Sequence, residues 1–229
     1  SLIIFGQGLM RSHPYLFNLV ESISNDQQDV FFKNVRGLVW DSVKNTLVAV
    51  GPHFSRGDYK QELSRLSNAF SLSSNMMLLM GKKFKTSEML SGRFADVFSN
   101  IYLSYSMLWY YEKYCPKDEQ TRKLLEFCMD ELLFETQEIF YEIASNYPNF
   151  FGRKYIGAVS FPYGRRYKSS SDEMKKEISD MVTKPGSVFD LFKENIYIPG
   201  EDEQLGKMIK TMEMISRLNY LMVYMLVKN

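Results

Sequence analysis

The chain has 229 residues, 45% of them apolar and 24% charged, with a net charge of +1. That balance excludes disorder throughout and gives no overall pull toward nucleic acid, so any electrostatic function must come from local patches. Two cysteines, Cys115 and Cys128, and two histidines, His13 and His53, are too few for a disulfide framework and match no zinc spacing; the cysteine usage suits a reducing, intracellular compartment.

The chain opens SLIIFGQGLMRSHPY, with no initiator methionine and an almost wholly apolar first ten residues. It lacks the basic start and cleavage site of a signal peptide. Residues 29–50 then place Phe32, Val35, Val39, Val43, Leu47 and Val50 on one side of a helix that Gly51-Pro52 stops. Asp58 with Gln61 three residues on is a capping-box-like start. Tyr59, Leu63, Leu66, Phe70 and Met77 form the stripe that follows, and Gly81 is placed to end it. From Ser87 a third helix carries Phe94, Val97, Ile101, Tyr105 and Leu108, and Pro116 closes it. Asp118 begins a fourth, striped by Leu125, Cys128, Leu132, Ile139 and Ile143, which ends before Tyr147-Pro148. Ser170 with Glu173 suggests another capping box. The last helix spans about 204–227, striped by Met208, Met212, Ile215, Leu218, Met222 and Met225. Its MISRLNYLMVYMLV run is too short and too polar to span a membrane. NIYIP near 195 is the only β-like run, and its proline makes it a poor ladder member. The expected fold is therefore all-α: a multi-helix bundle with one long irregular basic-aromatic segment at about 147–170.

Four features could carry function. Residues 124–142 hold six acids and no base, and residues 150–168 hold five bases and no acid. Either the basic segment folds back over the acidic helix, which is the preferred reading, or Arg153, Lys154, Arg165, Arg166 and Lys168 meet an anionic surface with Tyr155, Phe161, Tyr163 and Tyr167 as aromatic anchors. In SGRFADVFSN, the polar residues Arg93, Asp96 and Asn100 lie three and four apart in an apolar helix. They would suit a partner helix or a subunit interface, or equally a solvated face. Phe31, Phe32 and Trp40 with Lys33, Arg36 and Lys44 would suit an interfacial helix, although such aromatics are more often buried in a core. The 14 methionines suit core gaps better than a loose binding face. No nucleophile–base–orienter set, Gly-rich phosphate loop, HExxH or GxSxG occurs, so no catalytic, cofactor-binding or metal residue is assigned.

Several stretches together resemble one family. SLIIFGQGLMRSHPY is similar to the segment that follows the catalytic loop in bacterial fatty-acid-degradation acyl-CoA dehydrogenases of the long-chain, membrane-associated kind. RLSNAFSLSSNMMLLMG, SGRFADVFSNIYLSYSML and FPYGRRY follow in the order of that family's C-terminal region, so the resemblance covers Ser1 to about Tyr167. Beyond 171 only the helical character matches. The resemblance implies a parent enzyme that binds FAD and oxidises a fatty acyl-CoA to the trans-2-enoyl-CoA. A carboxylate base would remove the α-proton while the flavin takes the β-hydride. It also implies that base and flavin site both precede Ser1, leaving this region inactive alone and without a cofactor of its own. Residues 1–24 would lead out of that catalytic core, and 25–229 would form the C-terminal helical bundle. The partners so implied are the catalytic portion of the same chain, a second subunit and a peripheral membrane contact, with no nucleic acid. The location would be the cytoplasm, reaching the inner face of the cell membrane. Two other readings remain: a stand-alone helical protein- or membrane-interaction module, and a carrier of apolar ligands within a bundle.

Overall fold

A computed structural model describes residues 15, 18, 21–22, 25, 27–51, 58–80, 83, 86–184, 186–193, 197, 199–200 and 202–228. The opening segment, both histidines and most of NIYIP lie outside the described residues. Among the described residues every regular element is helical. They are α1 (Gln28–Val50), α2 (Tyr59–Leu79), α3 (Glu88–Tyr114), α4 (Glu119–Asn146), α5 (Phe150–Ser160), α6 (Asp172–Thr183), α7 (Ser187–Lys193) and α8 (Gln204–Lys228). The chain divides into two compact units, one of Ser1–Glu112 with Cys128–Ser169, the other of Lys113–Phe127 with Ser170–Asn229.

In the first unit α2 is the central element. It packs against α1 and α5, and α1 also meets α5. The spacing of its apolar residues explains the position: Leu63, Leu66, Leu72 and Met77 are all buried, and the start is held by Asp58, whose Oδ1 accepts from Gln61 N at 3.2 Å. Phe70 of α2 stacks at a tilt on Phe94 and Phe98 of α3, with ring centres 6.1 and 6.0 Å apart. The buried line of α3 is Leu90, Phe94, Val97, Ile101 and Leu108, while Tyr105 is exposed. The buried line of α4 is Leu125, Met129, Leu133, Phe140 and Ile143. Leu125 and Ile143 are as the spacing predicts. Cys128, Leu132 and Ile139 stand on the flanks, because the helix turns its Thr136–Gln137 side inward instead.

Two expectations need correction. The segment 147–170 is not irregular throughout: Phe150–Ser160 is α5, and only the stretches on either side are loop. Its start is capped by Asn149, whose side chain accepts from Gly152 N at 2.6 Å. Two glycines, 152 and 157, lower its intrinsic propensity and hide it from a propensity reading. Tertiary contacts supply what propensity lacks, with Ile156 and Val159 buried. The second correction concerns α1. Its aromatics are not core residues: Phe32 is 65%, Trp40 72% and Leu47 70% exposed, and Val39 and Val43 are exposed beside them. What α1 turns toward α2 is polar and small. Asn45 Nδ2 donates to Ser71 Oγ at 3.4 Å, and Asn75 Nδ2 donates to Ser42 Oγ at 3.5 Å.

In this unit, carbonyls that helix ends leave unpaired are met by side chains from far along the chain. Tyr163 donates its hydroxyl to Val50 O at 2.8 Å and Gly51 O at 2.9 Å, closing α1. Tyr147 donates to Met76 O at 2.7 Å near the end of α2. Arg65 Nη1 donates to Ser160 O at 3.1 Å at the end of α5.

In the second unit α6 packs on α7, with Ile178 and Val188 buried. Lys123 at the start of α4 bridges Glu119 at 3.5 Å and Glu177 at 2.6 Å. The cap of α6 is Ser171, one residue beyond the Ser170 that the spacing suggests, and its Oγ accepts from Met174 N at 3.2 Å. Ser171→Ala is expected to lower stability by about 1 kcal/mol, read from urea denaturation; an unchanged midpoint would show that this helix end is held by other contacts. The stripe Met208, Met212, Ile215 and Leu218 of α8 is exposed; the side chains of Met222 and Met225 lie outside the described residues. No helix among the described residues is long and apolar enough to cross a membrane.

Candidate functional site

The most chemically dense place in the first unit is a buried ionic cluster where the loop after α5 meets α2 and α4. Glu62 and Arg65 are only 6% and 5% exposed. Arg65 Nε donates to Glu62 Oε2 at 3.2 Å, the Tyr167 hydroxyl donates to the same oxygen at 2.5 Å, and Arg166 Nη1 lies 3.3 Å from Oε1. Gln137 of α4 clasps the loop backbone from the other side. Its Oε1 accepts from Arg166 N at 2.7 Å and Tyr167 N at 3.0 Å, and its Nε2 donates to Tyr167 O at 3.1 Å. Gln137 thus does for the loop what a neighbouring strand would do, satisfying donors and an acceptor in an extended stretch.

The surrounding charges and hydrogen bonds hold Glu62 ionised and Tyr167 protonated. Burial works to raise the Glu62 pKa, but the Tyr167 hydrogen bond and the Arg65 and Arg166 charges outweigh it and hold the carboxyl below its ordinary value. Burial and the Glu62 carboxylate push the Tyr167 phenol far above its ordinary range. A group that exchanges protons near neutrality needs the opposite tuning. The recess beside the cluster, lined by Arg65, Gln137, Phe161, Tyr163 and Tyr167 among others, holds about 10 Å³, room for one water molecule. It does not fit a flavin, and the larger clefts in the two units are open to solvent on the faces of α3 and α8. Burial also raises the thiols of Cys128 and Cys115, which makes them poor nucleophiles. Among the described residues no group of three His, Cys, Asp or Glu is placed to hold a metal.

The five bases singled out for an anionic surface do not form one open patch. Arg153 donates to Tyr147 O at 2.6 Å and Pro148 O at 3.4 Å, where α4 gives way to α5. Arg165 pairs with Glu138 and lies 4.8 Å from the centre of the Tyr141 ring. Arg166 faces Glu62, as described. Lys154 lies 5.6 Å over the Phe150 ring, and Lys168 is exposed. The polar trio on α3 does not converge either. Arg93 pairs with Glu142 of α4 at 2.7 Å, Asp96 faces solvent, and Asn100 is buried with its Nδ2 unpaired among the described residues. Glu62, Arg65 and Gln137 escape sequence reasoning. The i,i+3 spacing of Glu62 and Arg65 is the one local signal they leave, and it is shared by countless exposed pairs.

The largest exposed features are apolar. On α3, Phe98, Tyr102, Tyr105 and Trp109 follow one another at helical spacing on an exposed face. On α1, the stripe described above does the same. Both suit contact with another surface rather than chemistry.

No solved structure matches the chain. The sequence profile described as acyl-CoA dehydrogenase, C-terminal, bacterial type, matches residues 10–223, nearly the whole length. Matched over that span, and helical in every regular element among the described residues, the chain belongs to the family of bacterial-type acyl-CoA dehydrogenase C-terminal domains.

Proposed function

We propose that this chain is the helical contact domain of an FAD-dependent acyl-CoA dehydrogenase of fatty acid β-oxidation, and that the flavin and the catalytic base belong to another part of the parent enzyme. The observation that carries this reading is the aromatic face of α3. Phe98, Tyr102, Tyr105 and Trp109 are exposed on a helix whose opposite side is fully engaged in the core. Large aromatics presented in register are what a protein interface uses as anchors. On this reading the clamp at Glu62 keeps the 161–171 loop fixed, and the contact helices hold the dehydrogenating portion or a second subunit.

The test compares two products. The chain of 229 residues, purified alone, is expected to retain no FAD on gel filtration and to reduce no electron acceptor with a long-chain acyl-CoA. The product of the whole reading frame is expected to do both, and Tyr102→Glu in it is expected to weaken assembly, seen as a lower mass in sedimentation. Stoichiometric FAD and turnover in the chain alone, or a start codon directly before Ser1, would overturn the reading.

A further inference from the structure

Ser160 closes α5, and its two oxygens have different surroundings. The carbonyl accepts from Arg65 Nη1 at 3.1 Å. The hydroxyl belongs to a residue only 3% exposed, and its Oγ has no hydrogen-bond partner among the described residues. Serines on α3 meet the same need locally: Ser99, Ser104 and Ser106 donate to the carbonyl four residues back at 2.9, 2.7 and 2.9 Å. Ser160 does not, and a buried hydroxyl left alone loses its hydration for nothing in return.

The recess of about 10 Å³ beside the ionic cluster lies against this residue. Arg65, Leu66, Gln137, Phe140 and Ser160 are among its walls, and all five are buried. A purely apolar void of this size would stay dry, but this one has polar walls. Ser160 Oγ is one partner for a water. Arg65 commits Nε to Glu62 and Nη1 to Ser160 O, and its guanidinium has further N–H groups. Phe161 O accepts from Gly164 N at 3.0 Å and keeps a second lone pair. Gln137 contributes nothing more, because its amide already serves Arg166 N, Tyr167 N and Tyr167 O. The arginines of the lining, Arg65 and Arg166, oppose a cation, and a halide is larger than the space.

We propose that the recess binds one structural water, which accepts from an Arg65 N–H, shares a hydrogen bond with Ser160 Oγ and donates to a carbonyl of the 161–164 turn. The clamp at Glu62 is then assembled around this water. It ties the end of α5 to the guanidinium that faces Glu62, and Ser160 is a positioning residue for Arg65.

The experiment joins a crystal structure of the full chain at atomic resolution to urea denaturation. One water peak is expected within hydrogen-bond distance of Ser160 Oγ and an Arg65 nitrogen. Ser160→Ala is expected to lower the folding equilibrium constant by on the order of five- to tenfold, because the water loses a partner. An orphaned hydroxyl predicts the opposite sign, since removing it relieves a penalty. Ser160→Cys, which keeps the shape and weakens the hydrogen bond, is expected to change the constant in the same direction as Ser160→Ala. A dry recess, an ion within it, or Ser160 Oγ bonded to Ile156 O overturns the proposal. So does a folding constant that Ser160→Ala leaves unchanged or raises. None of these readouts involves a flavin or an acyl-CoA, so the outcome is separate from that of the enzyme assignment.

Discussion

Replacing Glu62 by Gln is expected to lower the unfolding free energy by about 3–5 kcal/mol, a large part of what holds a domain of this kind together. Among the described residues the carboxylate is the only partner that faces both Arg65 and Arg166 in the cluster, and Arg65 is buried with it. Without the negative charge a guanidinium stays in a poorly solvated place, and that is more damaging than the loss of an exposed pair. The same cluster predicts how stability depends on acidity. Because the native carboxyl titrates below the ordinary glutamate value of 4.5, the folded state binds fewer protons than the unfolded one through that range. The stabilisation is therefore complete above about that value and is lost as pH falls through the lower native pKa. Urea unfolding at neutral pH and near pH 4 should show a steep acid limb in the wild type and a flatter one in Glu62→Gln. Equal limbs would mean that Glu62 does not govern acid sensitivity. Tyr167 acts at the other end: its raised pKa lets stability persist up to the ordinary tyrosine value of 10.0 and fall above it.

Tyr147→Ala is expected to lose a similar amount, about 3–5 kcal/mol. The ring is fully buried, and its hydroxyl serves Met76 O near the end of α2. Met80 N does not serve that carbonyl, since it turns back to Met77 O instead. Tyr147→Phe separates the two contributions, because it keeps the ring and removes only the hydrogen bond, at about 1 kcal/mol. Gly152 is bound to the same residue. A Cβ there would stand 2.1 Å from Tyr147 Cε1 and 2.2 Å from Cδ1, so Gly152→Ala alone should cost about 1–3 kcal/mol by overpacking. In the Tyr147→Ala background the obstruction is gone, and alanine's better helix propensity should make the second change neutral or favourable. A double-mutant cycle reads this directly. Additive losses would show that Gly152 is needed for some reason other than the tyrosine ring.

Much of the helix count was open to sequence reasoning because it depends on local rules. Asp58, Asp118, Pro116 and Gly51 mark starts and stops, and the apolar spacings of α2 and α3 select most of the buried lines, with Tyr59 and Phe70 half-buried and Tyr105 exposed. α5 was hidden because two glycines weaken the local signal, and its stability comes from Asn149 and from contacts with distant segments. The candidate site was less legible still. Residues 62, 65, 137, 166 and 167 are brought together by the packing of α2, α4 and a loop, and no spacing along the chain encodes that meeting.

The sequence by itself determined an all-helical chain, the ends of most helices, the acidic and basic halves of 124–168 and the family. Only the tertiary structure decided which apolar stripe became core and which became surface. The stripes of α1, α2 and α8 have the same period, and periodicity reports that a helix has an apolar side without saying what covers it. Burial is a property of neighbours: α2 is covered by α1 and α5, whereas α1 meets them through Asn45, Ser42 and its other small residues and turns Trp40 and Leu47 outward. Packing likewise sets Arg165 against Glu138 and Arg166 against Glu62, pairings that no spacing along the chain encodes.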